Sequence, residues 1–136
     1  MVVAYYCPEP ISKSAESIIR GKQPVVISDL TEVEVISALS RKVRTRELSA
    51  EDAAAVRNHF ISHLEEGIYR RTSLGSHHIR SARELICSLA TPLRTLDALH
   101  LSIAAAERLE LVTADKTFAS AARKLSIKAR HVSAGS

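Results

Sequence analysis

The sequence has 136 residues, 46% of them hydrophobic and 4% aromatic, with 19 basic against 15 acidic residues for a formal net charge of +4. These values predict one domain, residues 1–136, with room for a hydrophobic core, and the charge is compatible with a polyanionic partner. No apolar run is long enough to cross a membrane, which argues against a membrane protein. Cys7 and Cys87 lack the C-x-x-C spacing, which indicates a reduced, cytoplasmic protein without a zinc knuckle.

The first predicted elements alternate between helix and strand. Met1–Tyr6 is a short apolar segment that two prolines end, and Ser12–Arg20 has a helical pattern. Pro24–Ser28 (PVVIS) is typical of a short buried strand. The segment Thr31–Arg44 is predicted to be a helix because of a pattern of three- and four-residue spacings, formed by Val35, Ala38, Leu39, Lys42 and Val43.

A second long helix follows a polar bend at Arg44–Leu48. Ser49, with Asp52 three residues later, is typical of a helix N-cap, and Gly67 marks the end of the helix. Its predicted inner stripe consists of Ala53, Val56, Phe60 and Leu64. Together with the preceding helix it is predicted to form a helical hairpin.

The middle of the chain is predicted to hold a short edge strand and a further helix. The strand is Ile68–Leu74 (IYRRTSL), and the helix is Ser76–Leu89. Its inward residues are predicted to be Ile79, Ala82 and Ile86. His77 and His78 begin this helix, and a solvated role is expected for them.

The last third of the chain is the segment around which the rest is arranged. It predicts a helix beginning near Asp97, a strand over Glu110–Thr113 covered on both faces, and a helix over Phe118–Leu125. Ile127–Val132 is the predicted last strand. Alternating helices and strands predict an α/β fold with a parallel sheet flanked by helices.

Three carboxylates fall at element ends in this arrangement. Asp115 follows the carboxyl end of a strand, where open α/β sheets bind ligands, and Asp97 lies in the first turn of its helix. Glu34, about one turn into its helix, is expected at the same sheet edge. Converging like charges repel unless a divalent cation lies between them, and oxygen ligands suit Mg²⁺ or Mn²⁺. Such a cation typically acts on a phosphate, so the predicted substrate is a phosphodiester.

Each carboxylate also has a purely structural interpretation. Asp97 is equally explained as a helix cap, and Asp115 as an Asx turn that opens the next helix. Glu34 has the alternative of a solvated helix position, like its neighbour Glu32. The joint interpretation depends on all three lying near one edge.

Other motifs are weaker or missing. His59 and His63 are four residues apart, but no third ligand is evident, so a surface or packing role is favoured over a metal site, as packing is for His100. The sequence has no G-x-x-x-x-G-K, G-x-G-x-x-G or G-x-S-x-G motif, which argues against nucleotide and serine-hydrolase sites. With three Tyr, two Phe and no Trp, any grip on RNA should depend on charge or shape.

Three segments carry a resemblance to a known family. SDLTEVE (28–34), LDALH (96–100) and VTADKTF (112–118) resemble, in their order, the three downstream motifs of the PIN domain. The most similar subgroup is the VapC toxins of bacterial toxin–antitoxin pairs. The resemblance covers essentially the whole chain.

The resemblance implies an endoribonuclease that depends on Mg²⁺ or Mn²⁺ and uses water as its nucleophile. Glu34, Asp97 and Asp115 would bind the metal, and the hydroxyl of Thr113 would support them. It also implies a homodimer and a small antitoxin partner. A catalytically inactive module that binds the antitoxin or RNA is the alternative. Candidates for gripping the phosphates of the RNA are Arg41, Lys42, Arg44, Arg46, Arg70, Arg71 and Arg94.

The sequence departs from the family pattern at its start. The family's first strand, which is central in its sheet, ends in an aspartate, and Met1 already stands beyond that point. We expect either a start placed too far downstream or a true loss of the strand. A sheet without its central strand is expected to be gapped or rearranged, with weak Mg²⁺ binding and low activity.

Overall fold

Helices and parallel strands alternate along the chain in the computed structural model, which confirms the predicted α/β class. The structure describes residues 2–7, 9–10, 12–87 and 92–134. The chain consists of two compact units, with the boundary between Ser73 and Leu74. The single domain expected over residues 1–136 stays a prediction. No helix of the described residues is long and apolar enough to cross a membrane.

The first unit contains two short helices, a strand, a helical hairpin and a second strand. In chain order these are α1 (Val2–Tyr6), α2 (Ser12–Ile19), β1 (Val25–Ser28), α3 (Asp29–Arg44), α4 (Ala50–Glu65) and β2 (Tyr69–Thr72). Strands β1 and β2 pair in parallel, from Val25 with Tyr69 to Ser28 with Thr72. Both strands and both long helices of this unit therefore confirm the sequence prediction.

Local hydrogen bonds begin the two long helices. The hydroxyl of Ser28 accepts the backbone N–H of Thr31 at 3.4 Å, and that of Ser49 accepts the N–H of Asp52 at 3.0 Å, as predicted for the second helix. The core of the unit combines residues of α3 and α4 with residues of α2, β1 and β2. Its buried residues are Ile19, Ile27, Val35, Phe60 and Tyr69.

The second unit holds three helices and the other two strands. In chain order these are α5 (Ser76–Cys87), α6 (Thr95–Ala106), β3 (Leu111–Thr113), α7 (Lys116–Lys124) and β4 (Ala129–His131). Strands β3 and β4 pair in parallel, from Leu111 with Ala129 to Thr113 with His131. The buried core residues are Leu101, Ala104, Ala122 and Ile127.

The four strands of the described chain form two separate sheets of two strands each. The structure describes each sheet within its own unit, and the expectation of a gapped or rearranged sheet stays a prediction. The structure corrects the prediction that the strand at Leu111–Thr113 is covered on both faces, because all three residues of β3 are only half-buried. Helices α6 and α7 contact this strand, but they leave part of each of its residues exposed.

Helix α5 is rotated relative to the prediction. Ala82 is buried as expected, but Ile79 is 54% exposed and Ile86 37% exposed, whereas His78 is 1% exposed. The prediction of a solvated His78 was therefore wrong, and that of an exposed His77 is confirmed. The buried stripe runs one residue earlier along the helix than the isoleucines suggest. The predicted end of this helix, at residues 88–89, lies outside the described residues.

Four helices end in the same hydrogen-bonded motif. After α3, α4, α6 and α7, the second residue past the C-cap donates its N–H to a carbonyl five positions back, and the first donates to a carbonyl three positions back. The first of these residues has a positive φ each time, at Arg46 (62°), Gly67 (75°), Arg108 (55°) and Ser126 (61°). Only Gly67 is a glycine.

Candidate active site

Asp115 lies where the sequence predicted, two residues past the end of β3. It is the N-cap of α7, and its Oδ1 accepts the backbone N–H of Phe118 at 3.0 Å. The hydroxyl of Thr113 accepts the N–H of Asp115 at 3.1 Å. Thr113 and Asp115 are thus in direct contact: Thr113 holds the backbone of Asp115, and the N–H of Phe118 orients its carboxylate.

His131 is part of the same turn, and the sequence analysis did not identify it. Its Nε2 lies 3.2 Å from the carbonyl oxygen of Ala114, so Nε2–H donates to that carbonyl. The parallel register pairs His131 with Thr113, which brings the ring to the strand end. Only the strand register reveals this contact, and no local sequence signal marks it.

Asp97 is the third residue of α6, and it caps the start of that helix. Its Oδ2 accepts the backbone N–H of Arg94 at 3.2 Å, and the residue is half-buried. The capping interpretation is therefore correct for both Asp97 and Asp115. A cap occupies one carboxylate oxygen, so it is compatible with a second role for each residue.

Glu34 lies in the first unit, within α3, and is half-buried. Its neighbour Glu32 is held in a two-pronged ion pair with Arg71 of β2, with N–O distances of 2.8 and 3.0 Å. Glu32 is therefore not simply a solvated residue, so it gives no support to a solvated interpretation of Glu34.

The predicted site residues belong to two units. Thr113, Asp97 and Asp115 lie in the second unit, and Glu34 lies in the first. The structure brings Thr113 and Asp115 into contact and places Asp97 and Asp115 at the starts of neighbouring helices in the chain. The convergence of all three carboxylates stays a prediction.

Two of the seven candidate phosphate-binding residues have carboxylate partners. Lys42 forms an ion pair with Glu9 at 3.1 Å, and this hydrogen bond raises the pKa of Lys42. Arg71 is paired with Glu32 as described above. A paired cation has less charge to offer to a phosphate, so these two are the weakest candidates. The others are Arg41, Arg44, Arg46, Arg70 and Arg94, which are all exposed.

His63 has a packing role instead of a metal role with His59. Its Nδ1 lies 2.7 Å from the hydroxyl of Tyr6, which is 2.6 Å from the hydroxyl of Tyr69. Burial raises the pKa of both tyrosines, so both hydroxyls keep their protons for these hydrogen bonds. This network connects α1, α4 and β2, as the favoured interpretation predicted.

Comparison with known proteins identifies the family to which the chain belongs. No curated protein matches the chain. The family model of the PIN domain matches residues 1–124, a range that includes Glu34, Asp97, Thr113 and Asp115. PIN domains are generally metal-dependent nucleases, which agrees with carboxylates at element ends. Because the match covers most of its length, the chain belongs to the PIN domain family.

Proposed function

We propose that this chain is a metal-dependent endoribonuclease of the VapC type, the toxin of a toxin–antitoxin pair, acting as one domain over residues 1–136. It would hydrolyse RNA phosphodiester bonds with water as the nucleophile. Family membership supports nuclease chemistry. The observation that carries the proposal is the turn from Thr113 to Asp115, where an aspartate lies two residues past a strand. Its backbone N–H donates to Thr113, and its carboxylate accepts the N–H of Phe118.

The donor atoms of the predicted site fit a hard cation. Glu34, Asp97 and Asp115 offer only carboxylate oxygens, which are the ligands that Mg²⁺ and Mn²⁺ favour. The caps engage one oxygen of Asp97 and one of Asp115, and each carboxylate has a second oxygen for a cation. When bound, such a cation activates water and neutralises charge on a phosphate.

The remaining residues of the site would act by positioning. Thr113 accepts the N–H of Asp115, and His131 donates to Ala114, so the Asp115 turn is held from both strands. The backbone of Arg94 holds Asp97, and its exposed side chain is available to contact a phosphate. A site held by such bonds loses little entropy when the RNA binds.

A small antitoxin and a second copy of the chain are the proposed partners. Large apolar side chains are exposed on the helical hairpin, with Val33 at 67% and Ile36 at 40% on α3 and Ile61 at 40% on α4. Exposed apolar surface of this kind favours a covering partner. The RNA substrate and the free Cys7 and Cys87 favour a cytoplasmic location.

The test measures cleavage of structured RNA by the purified chain with Mg²⁺, with Mn²⁺ and with EDTA. Asp115→Asn is the most informative variant because asparagine caps a helix as well as aspartate does but carries no charge for the cation. Loss of an outer-shell partner typically weakens a metal site about 10–100-fold, so loss of a ligand should lower cleavage by at least about 100-fold. Asp97→Asn and Glu34→Gln are expected to behave alike.

Asp52→Asn is the matched control, because Asp52 is an exposed carboxylate in the first turn of α4. It should keep full cleavage and an unchanged melting temperature. Cleavage that persists in EDTA, or is unchanged in Asp115→Asn, would contradict the proposal. Binding of RNA or antitoxin without cleavage would favour the inactive module.

A further inference from the structure

His78 is a buried polar residue whose side chain is only half satisfied. It is 1% exposed, and its Nδ1 accepts the backbone N–H of Gly75 at 2.9 Å. Its Nε2 has no hydrogen-bond partner among the described residues. A buried polar atom without a partner is rare and costs stability, so it requires an explanation.

The unpartnered Nε2 faces a carboxylate. It lies 3.6 Å from Oε1 of Glu107, which is too long for a hydrogen bond. In tetrahedral coordination, two ligands at about 2.0–2.1 Å from a metal are about 3.3 Å apart. The separation of His78 and Glu107 is therefore close to that of two ligands of one ion.

A third ligand completes the group. One ligand atom from each of His77, His78 and Glu107 lies within 4.8 Å of the others. The rings of His77 and His78 have centroids 3.8 Å apart. His77 and Glu107 are exposed, so an ion can reach the group from solvent while His78 closes its inner side.

From this geometry we infer that His77, His78 and Glu107 form a binding site for a divalent transition-metal ion of the Zn²⁺ class. Two imidazoles and a carboxylate are a donor set that Zn²⁺ takes, with water in the fourth position. Glu107 is also the C-cap of α6, and the end of a helix dipole there favours a cation. The site is separate from the predicted carboxylate site and does not rest on the proposed function.

Binding at Nε2 requires a proton to move. With Gly75 donating to Nδ1, the neutral ring carries its proton on Nε2, where no metal can bind. The ion therefore binds the other tautomer, with the proton on Nδ1, and the N–H of Gly75 must turn away. Gly75 precedes the first residue of α5, so this exchange breaks one capping bond and leaves the helix bonds in place.

The expected consequence is a link between two helices. His77 and His78 are in the first turn of α5, and Glu107 follows the last turn of α6. An ion held by all three would tie the start of α5 to the end of α6 within the second unit. Zn²⁺ should therefore raise the melting temperature of the chain.

The experiment titrates the untagged full chain with ZnCl₂ by calorimetry and with Co²⁺ by visible absorption. About one equivalent should bind, and His77→Gln and Glu107→Gln should each weaken the affinity by about tenfold or more. The backbone amide resonance of Gly75 should shift on addition of Zn²⁺. His78→Gln should also lose the site, and the two exposed variants keep the test valid if His78→Gln does not fold.

Two variants serve as matched controls. His59→Gln removes the other histidine pair, on α4, and Asp97→Asn removes a predicted ligand of the carboxylate site. Both should keep the Zn²⁺ affinity. No Zn²⁺ binding by the unmodified chain, an unchanged affinity in both His77→Gln and Glu107→Gln, or a lost affinity in either control would overturn the inference. RNA cleavage should be intact in Glu107→Gln, so failure of this inference is distinct from failure of the proposed function.

Discussion

The two units build their cores from different side chains. In the first unit, Phe60 is 1% exposed and its ring packs against those of Tyr6 and Tyr69, with centroids 5.7 and 5.9 Å away. In the second unit, two of the four core residues are alanines, Ala104 and Ala122. The first core thus depends on a few large rings, and the second on close approach of backbones. Removing volume should damage the first unit most, and adding volume the second.

The placement of the tyrosines allows the two cores to be followed separately. All three tyrosines, Tyr5, Tyr6 and Tyr69, lie in the first unit, and the sequence has no tryptophan. Tyrosine fluorescence therefore reports on the first unit, while far-UV circular dichroism reports on the helices of both.

The largest expected effect is that of Phe60→Ala. Removing a buried phenylalanine leaves a cavity and typically lowers the free energy of unfolding by about 3–5 kcal/mol. Urea unfolding followed by both tyrosine fluorescence and circular dichroism measures this change. Phe118→Ala is the control, because Phe118 is only half-buried and lies in the second unit. A larger loss of unfolding free energy in Phe118→Ala than in Phe60→Ala would contradict the proposed difference between the two cores.

A smaller effect is expected from Ala122→Leu. Ala122 is fully buried, and forcing a larger side chain into a packed core typically costs about 1–3 kcal/mol. Circular dichroism during urea unfolding is the measurement. Ala105→Leu adds the same volume at an exposed position of α6 and should change stability by less than about 0.5 kcal/mol. Equal effects in the two variants would show that the second core has spare volume.

The smallest effect concerns the pH response of the first unit. Burial lowers the pKa of His63 from its ordinary value of 6.5, His59 and Arg20 lower it further, and Glu66 opposes the shift. The other groups that face His63 are the rings of Tyr5 and Tyr6. The folded state therefore takes up this proton less readily than the unfolded chain does.

The sign of the pH effect follows from this difference. The contribution of neutral His63 is fully present above the unfolded pKa and is lost as the pH falls through the folded pKa. The free energy of unfolding is therefore expected to fall as the pH is lowered from neutral into the acid range. Unfolding curves read by tyrosine fluorescence should show it, and His63→Gln should flatten it. If the free energy of unfolding of His63→Gln depends on pH as steeply as that of the unmodified chain, other groups cause the effect. His131→Gln is the control and should keep the pH dependence of the unmodified chain.

Local chemistry made most of the elements predictable. Runs such as Val25–Ser28 and Leu111–Thr113 are β-branched or apolar and lie between helical patterns, so each was recognisable as a strand. The caps at Ser49, Asp97 and Asp115 connect residues three apart, so they too could be predicted. Such interactions are contained within one short window of sequence.

Contacts between distant residues could not be predicted in the same way. The rotation of α5 that buries His78 is set by packing against other elements, whereas hydrophobicity alone favoured burial of Ile79 and Ile86. His131 reaches Ala114 only through the register of β3 and β4. For the candidate site, the local positions of Asp97 and Asp115 were correct, and their convergence with Glu34 depends on long-range arrangement.

The helix ends at Arg46, Arg108 and Ser126 have a practical consequence for protein engineering. Each residue adopts a left-handed backbone conformation that costs a non-glycine residue roughly 1 kcal/mol, whereas Gly67 adopts it without strain. Arg46 is also a candidate for contacting RNA phosphates, whereas Arg108 and Ser126 are assigned to neither proposed site. Glycine at Arg108 or Ser126 should therefore raise the thermal tolerance of the chain without altering a residue of either site.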